Sequence, residues 1–212
     1  MGRHSPVVVW GTSGHALVVA DALIASGTAL AGFIDDFQKP NDVPTFVGTP
    51  VWHSLQDALK SVLPETCFIV GVGENGTRAK IFDALVREVG AARLVTVIHP
   101  NAIVSPQACI GIGTFVGPGS VVNAVANVGN NVILNTASTV DHHCHIGDHA
   151  HLGPGVHLAG NVSIGERTLV GIGAVAIPGV KIGANVVVGA GAAIVDNVPD
   201  GTKVVGVPAK TI

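Results

Sequence analysis

Val140-Asp141-His142-His143-Cys144-His145-Ile146-Gly147-Asp148-His149-Ala150-His151-Leu152-Gly153 sets an aliphatic residue at every sixth position: Val140, Ile146 and Leu152. The spacing runs outward from this stretch in both directions without a gap. Val104, Ile110, Val116, Val122, Val128 and Leu134 precede it; Leu158, Ile164, Val170, Ala176, Ile182, Val188 and Ile194 follow. With the aliphatic as place one, place five is small or β-branched, as at Ala108, Thr114, Ser120, Ala126, Val132, Ala150, Thr168, Ala174 and Val186. Place two is very often Gly, as at Gly111, Gly129, Gly147, Gly165 and Gly183. A period of six matches neither a helix nor a simple strand. It is the pattern of a parallel β-helix, with three hexads to each triangular coil and the aliphatic residues stacked inside. The glycines are expected to let the chain turn each corner. Hexads from Val104 to Pro199 make about five coils, a prism ~25 Å tall at ~4.8 Å per coil.

Composition agrees with such a core. Hydrophobic residues are 48% of the 212 but aromatics only 4%, so the interior is built of Val, Ile and Ala. Leu94 to Val140 holds no Asp, Glu, Lys or Arg, yet it is rich in Asn, Pro and Gly and has no long apolar run, which excludes a membrane span. A net charge of −3 without basic clusters argues against nucleic acid. Met1 to Pro6 carries no signal-peptide pattern, and Cys67, Cys109 and Cys144 have no metal-ligand spacing. A cytoplasmic, reduced protein is expected.

Before about Ile98 the pattern changes to alternating strands and helices, which predicts a small Rossmann-like parallel α/β domain. Strands are expected at Val7–Trp10, Leu30–Ile34, Cys67–Val72 and Leu94–Val97. Ser54-Leu55-Gln56-Asp57 reads as a capping box. His99-Pro100 marks the boundary, giving domains 1–98 and 99–212.

Two regions can carry chemistry. Gly11-Thr12-Ser13-Gly14-His15 joins the first strand to a helix N-terminus, which suits a phosphate. Asp35-Asp36 closes the second strand and Gly71-Val72-Gly73 the third, on the same rim. Carboxylates there accept from ribose hydroxyls or a base N–H, so a nucleotide-type ligand is expected. The alternative is tight turns with solvated acids. The second region is the histidine cluster His142, His143, His145, His149, His151 and His157. His145, His151 and His157 share place six of successive hexads and therefore face three sides of the prism, which rules out a shared zinc site. A His beside Asp141 is suited to general-base work. Cys144 sits at an inward place, against a nucleophilic role.

The hexads, the Val140–Gly147 segment and the Gly206-Val207-Pro208-Ala209-Lys210 tail resemble the hexapeptide acyltransferases. With Gly-Thr-Ser-Gly-His and Phe33-Ile34-Asp35-Asp36, the chain is similar to the bacterial nucleotide-sugar 4-amino N-acetyltransferases, grouped with the sialic-acid O-acetyltransferase-like proteins. The resemblance implies a left-handed β-helix, a homotrimer, and acetyl-CoA in the groove between prisms. His142 matches the general base, and His151 a residue touching the acetyl group. Gly160, Ile172 and Ala190 fall where backbone lines the CoA groove. Gly11, Ser13, Gly14, His15, Asp35, Asp36 and Gly73 match the nucleotide-sugar site. The family usually has an acid after the base; here His143 stands there, with Asp141 as the candidate substitute. An O-acetyltransferase acting on a glycan, or a non-catalytic trimeric scaffold, are the rival readings.

Overall fold

The computed structural model describes residues 5–36, 45–46 and 48–212. Residues 1–4, which belong to the leader reading, lie outside the described residues. The N-terminal unit is a five-stranded sheet. Its elements in chain order are β1 (Val7–Trp10), α1 (Gly14–Ala25), β2 (Leu30–Ile34), β3 (Thr45–Phe46), β4 (Thr49–Trp52), α2 (Leu55–Ser61), β5 (Cys67–Val70) and α3 (Asn75–Val89). The strand order is β3-β4-β2-β1-β5, parallel except for the edge strand β3. Continuous apolar runs make β1 and β5 buried on both faces. Ser54 caps α2 by accepting from the Asp57 N–H at 3.1 Å. Strand β4, between β3 and β2, is short, carries no alternation and contains Pro50, which is why the sequence does not announce it.

The expected fourth strand is divided. Leu94 makes only an isolated bridge to Phe68, whereas Val97–Ile98 pairs with Phe115–Val116 in the prism. Ile98 stands six residues before Val104, so it extends the hexad series by one step.

The prism has three parallel sheets. The first face runs Val97, Phe115, Ile133, His151, Leu169, Val187, Lys203, and is closed by antiparallel Lys210–Thr211. The second contains Ile103, Val121, Thr139, His157, Val175 and Ala193; the third Cys109, Asn127, His145, Ser163 and Lys181. Register steps are 18 residues, one coil, until the last strand. The aliphatic column is buried from Val116 to Ile194, as are the place-five residues. Each buried Val, Leu or Ile contributes about 1.5–3 kcal/mol by leaving water.

The place-two glycines serve a different purpose from the expected one. At Gly147 an added Cβ would lie 2.6 Å from the Glu166 N of the next coil. These glycines therefore permit close coil stacking. The left-handed corner is place four, where eight non-glycine residues adopt positive φ, among them Asn131, His143, His149 and Arg167.

The α/β unit sits on the first face. Phe115 and Ile133 point outward from the prism and share a core with Val9, Ala16, Val19 and Leu23. At the corner between the third and first faces, Arg78 of α3 is buried against the prism backbone and Asn75 Nδ2 donates to Arg167 O at 3.0 Å.

Candidate active site

The rim cleft, about 310 Å³, lies where β1, β2 and β5 end. Gly11, Ser13, Asp35 and Asp36 line it, with Trp10, Thr12, Val72, Thr77 and Ile81. Asp35 is buried and accepts from the Thr12 hydroxyl; Asp36 is exposed, and its Oδ1 accepts from Trp10 Nε1 at 3.3 Å. Sequence reading missed Thr12, Trp10 and His53, whose ring reaches Asp35 O at 3.3 Å. The two helix N-termini nearby differ. At α3 the Glu74 carboxylate accepts from the Gly76 N–H at 2.8 Å and the Thr77 N–H at 2.6 Å, and Thr77 holds its pKa below the usual range. That terminus is therefore closed to a second anion. Ser13 makes no side-chain cap at α1, and Gly14 has open space around it. A phosphate group fits α1.

A second cleft, about 440 Å³, opens on the other side of the Val72–Gly76 turn. Gly73 lines this one, with Glu74, Asn75, His151, Arg167, Leu169 and Val187. His151 Nδ1 lies 3.2 Å from Gly73 O; a carbonyl only accepts, so Nδ1 carries the proton and Nε2 is the acceptor. His15 sits behind, 6.4 Å from the His151 ring and edge-on to Phe115 at 5.3 Å. Its Nε2 is buried without a hydrogen-bond partner. Burial pushes the His15 pKa to about 3 and that of His151 to about 4, with the Arg78 charge adding to both. Both rings are neutral at physiological pH.

His142 and His143 stand at the corner between the second and third faces. This corner is opposite the first face, which carries the α/β unit. Their Nδ1 atoms are 3.1 Å apart. The His142 ring packs against Gly160 through its Cε1 edge, and an added Cβ there would lie 2.7 Å from Nε2. Asp141 does not take over the missing acid's place at the ring. Its Oδ1 accepts from the His142 main-chain N–H at 2.7 Å and from Asn123 at 2.8 Å, and these bonds hold its pKa low. The carboxylate fixes the corner rather than the imidazole. Gly160 shares the His142 corner, while Ile172 and Ala190 lie at the corner between the first and second faces. One chain therefore does not gather all the expected groove residues. Cys144 is buried, its thiol pushed up by burial and donating to Ala159 O at 3.2 Å. Among the described residues no His, Cys, Asp or Glu cluster has a geometry that holds a metal.

A prism of hexapeptide coils bearing a base-like histidine corner, with an α/β ligand domain on one face, defines a two-part acyltransferase scaffold. The PglD N-terminal domain family matches residues 6–85, and the bacterial transferase hexapeptide family (six repeats) matches residues 161–196. A curated relative, UDP-N-acetylbacillosamine N-acetyltransferase of Bacillus subtilis (strain 168), is 36% identical over 113 residues; the match covers 51% of this chain and 49% of that protein. Among solved structures, the acetyltransferase domain of PglB from Neisseria gonorrhoeae FA1090 with acetyl coenzyme A is 38% identical, with 98% of each chain covered and a TM-score of 0.85. PerB from Caulobacter crescentus with CoA and GDP-perosamine is also 38% identical, covering 98% of this chain and 97% of that one, at a TM-score of 0.88. The chain belongs to the hexapeptide-repeat acyltransferases, in the nucleotide-sugar N-acetyltransferase group that begins with a PglD-type domain.

Proposed function

We propose that this chain is an acetyl-CoA-dependent N-acetyltransferase that acts on the amino group of a nucleotide-linked 4-amino-deoxy sugar. One observation carries the reading. The ligand clefts and the His142–His143 pair lie on opposite sides of the prism, so neither half works alone and a second copy completes the site. A homotrimer supplies that copy. Exposed Ile103 and Val175 on the second face, with Ile172 at its edge, support an interface there. The nucleotide sugar lies in residues 1–98, its diphosphate at Ser13-Gly14 and its nucleoside against Asp35 and Asp36. Residues 99–212 form the acetyltransferase prism, with Val97–Ile98 as the shared strand. Acetyl-CoA runs along the first face past His151, Leu169 and Val187, beside Ile172 and Ala190, and meets Gly160 of the neighbouring copy.

His142 is the general base. With Nδ1–H donated to His143, its Nε2 lone pair takes a proton as the amine attacks the thioester carbonyl. The tetrahedral intermediate then expels the CoA thiolate, which recovers the proton from His142. The amide bond forms, the thioester breaks, and no metal or covalent enzyme intermediate takes part. Three free cysteines fit a cytoplasmic enzyme, and no helix among the described residues is long and apolar enough to cross a membrane.

The test is a mass-spectrometric screen of UDP-, GDP- and dTDP-linked 4-amino sugars with acetyl-CoA. One added acetyl group on the sugar nitrogen is expected. Transfer only to hydroxyl acceptors, or no transfer at all, contradicts the proposal.

A further inference from the structure

Arg78 is the largest buried charged group in the described structure, and no carboxylate bonds to it. Its nearest acid, Glu74, is committed to the α3 N-terminus. The guanidinium instead reaches three separate pieces of chain. Nη1 donates to Gly73 O at 2.9 Å and Val72 O at 3.4 Å. Nη2 donates to Asn75 Oδ1 at 2.8 Å, His149 O at 2.6 Å and Ala150 O at 3.2 Å. Nε donates to Asn131 O at 3.1 Å, and Asn131 Nδ2 returns a bond to Arg78 O at 3.2 Å. A buried guanidinium without a counter-charge is costly, and it persists only where its donors are fully used. Two of the segments it ties meet at His151. Gly73 O accepts from the His151 ring, and His149–Ala150 is the backbone that leads into it.

We propose that Arg78 is a positioning residue of the acetyl-transfer site: it clamps the Gly73 carbonyl to the His149–Ala150 backbone and so holds the His151 ring with Nδ1–H on Gly73 and Nε2 turned to the cleft as an acceptor for a substrate N–H. The inference rests on the N-acetyltransferase reading and refines it. A neutral His151 with this tautomer offers no donor to an acetyl oxygen. Its contact is with the sugar amine or a CoA amide N–H, and it orients the nucleophile that His142 of the neighbouring copy deprotonates. Asn135 Nδ2, 3.5 Å from Nε2, occupies the acceptor in the free protein. The groups that face His151 are His15 from α1, Arg78 and Glu74 from α3, and Arg167 from the prism corner. The one acid among them, Glu74, is committed to the Gly76 and Thr77 N–H groups and makes no bond to the His151 ring.

The experiment uses the full chain labelled with ¹⁵N-histidine, read by NMR and by steady-state kinetics. In the native protein His151 is expected as the Nδ1–H tautomer, unchanged down to about pH 5. Lysine at position 78 keeps a charge but is a single point donor that does not span both carbonyl sets. Arg78→Lys is expected to give a tautomer mixture at His151 and to lower kcat about 10–100-fold. KM for the nucleotide sugar, bound across the Val72–Gly76 turn, should move less than about threefold. If Arg78→Lys does not assemble, Asn75→Ala frees one Nη2 bond with the guanidinium in place, and the same changes are expected at smaller amplitude. An unaltered His151 tautomer with unaltered kcat overturns the proposal, as does a rise in KM with kcat retained. If the native enzyme acetylates no amino-sugar nucleotide, the functional reading fails, while the tautomer comparison still decides whether the clamp exists.

Discussion

At the scale of single residues, the chemistry depends on which nitrogen of which histidine is free. His142→Ala is expected to lower turnover by about 10²–10⁴, with the fold intact because the residue is exposed. Stopped-flow or endpoint assays across pH check this. A carboxylate placed at 143 would accept the His142 Nδ1–H with a charge, so His143→Glu should retain or raise kcat. If His143→Ala abolishes turnover while His142→Ala does not, the roles are reversed. The pair itself was legible, because two histidines at a predicted corner beside an acid stand out. Which partner Asp141 serves was not. A spacing of one residue does not say whether a carboxylate turns to a ring or to a main-chain N–H. Arg78 was hidden for a related reason: its partners on the prism are carbonyls 53 to 72 residues away, and every residue has a carbonyl.

At the scale of elements, the prism was almost entirely readable because its period is imposed by packing. Ile146→Ala should cost about 2–5 kcal/mol, seen as a lower denaturant midpoint, since the stacked column cannot collapse around the cavity. The corners were less readable. Place four demands positive φ and is often not glycine here, whereas the conspicuous glycines answer to the neighbouring coil, a contact 18 residues away. Gly160 belongs to this second kind. Gly160→Ala is expected to displace the His142 ring and cut kcat about 10–100-fold with little change in stability. Unaltered kcat in that variant would show that the ring's seat on Gly160 is not the working geometry. In the N-terminal unit, β4 went unread because a four-residue strand carrying proline lacks alternation, and Val97 was assigned to the wrong sheet because a short apolar step fits both.

At the scale of the whole molecule, the interface between the α/β unit and the prism buries neutral histidines. His15 and His151 have folded pKa values of about 3 and about 4, below the ordinary 6.5, so the unfolded chain binds more protons between these limits. The stability these two rings confer should therefore fall by several kcal/mol as pH drops from about 6.5 to about 3. His15→Gln should flatten that loss in thermal melts; an unchanged slope would assign the acid sensitivity elsewhere. The proposed catalytic unit is larger than one chain, and hybrid trimers test that most directly. Gly14→Glu sets a carboxylate in open space at the α1 N-terminus, where the helix tolerates it and a diphosphate is repelled. His142→Ala removes the base at the opposite corner. Each variant alone is expected to show almost no acetyl transfer to its amino-sugar nucleotide. Co-expressed in equal amounts, the two should recover about one quarter of native turnover, the share of interfaces that join an intact cleft to an intact base. No recovery in mixed trimers, with assembly verified by native mass spectrometry, would contradict an active site shared between copies.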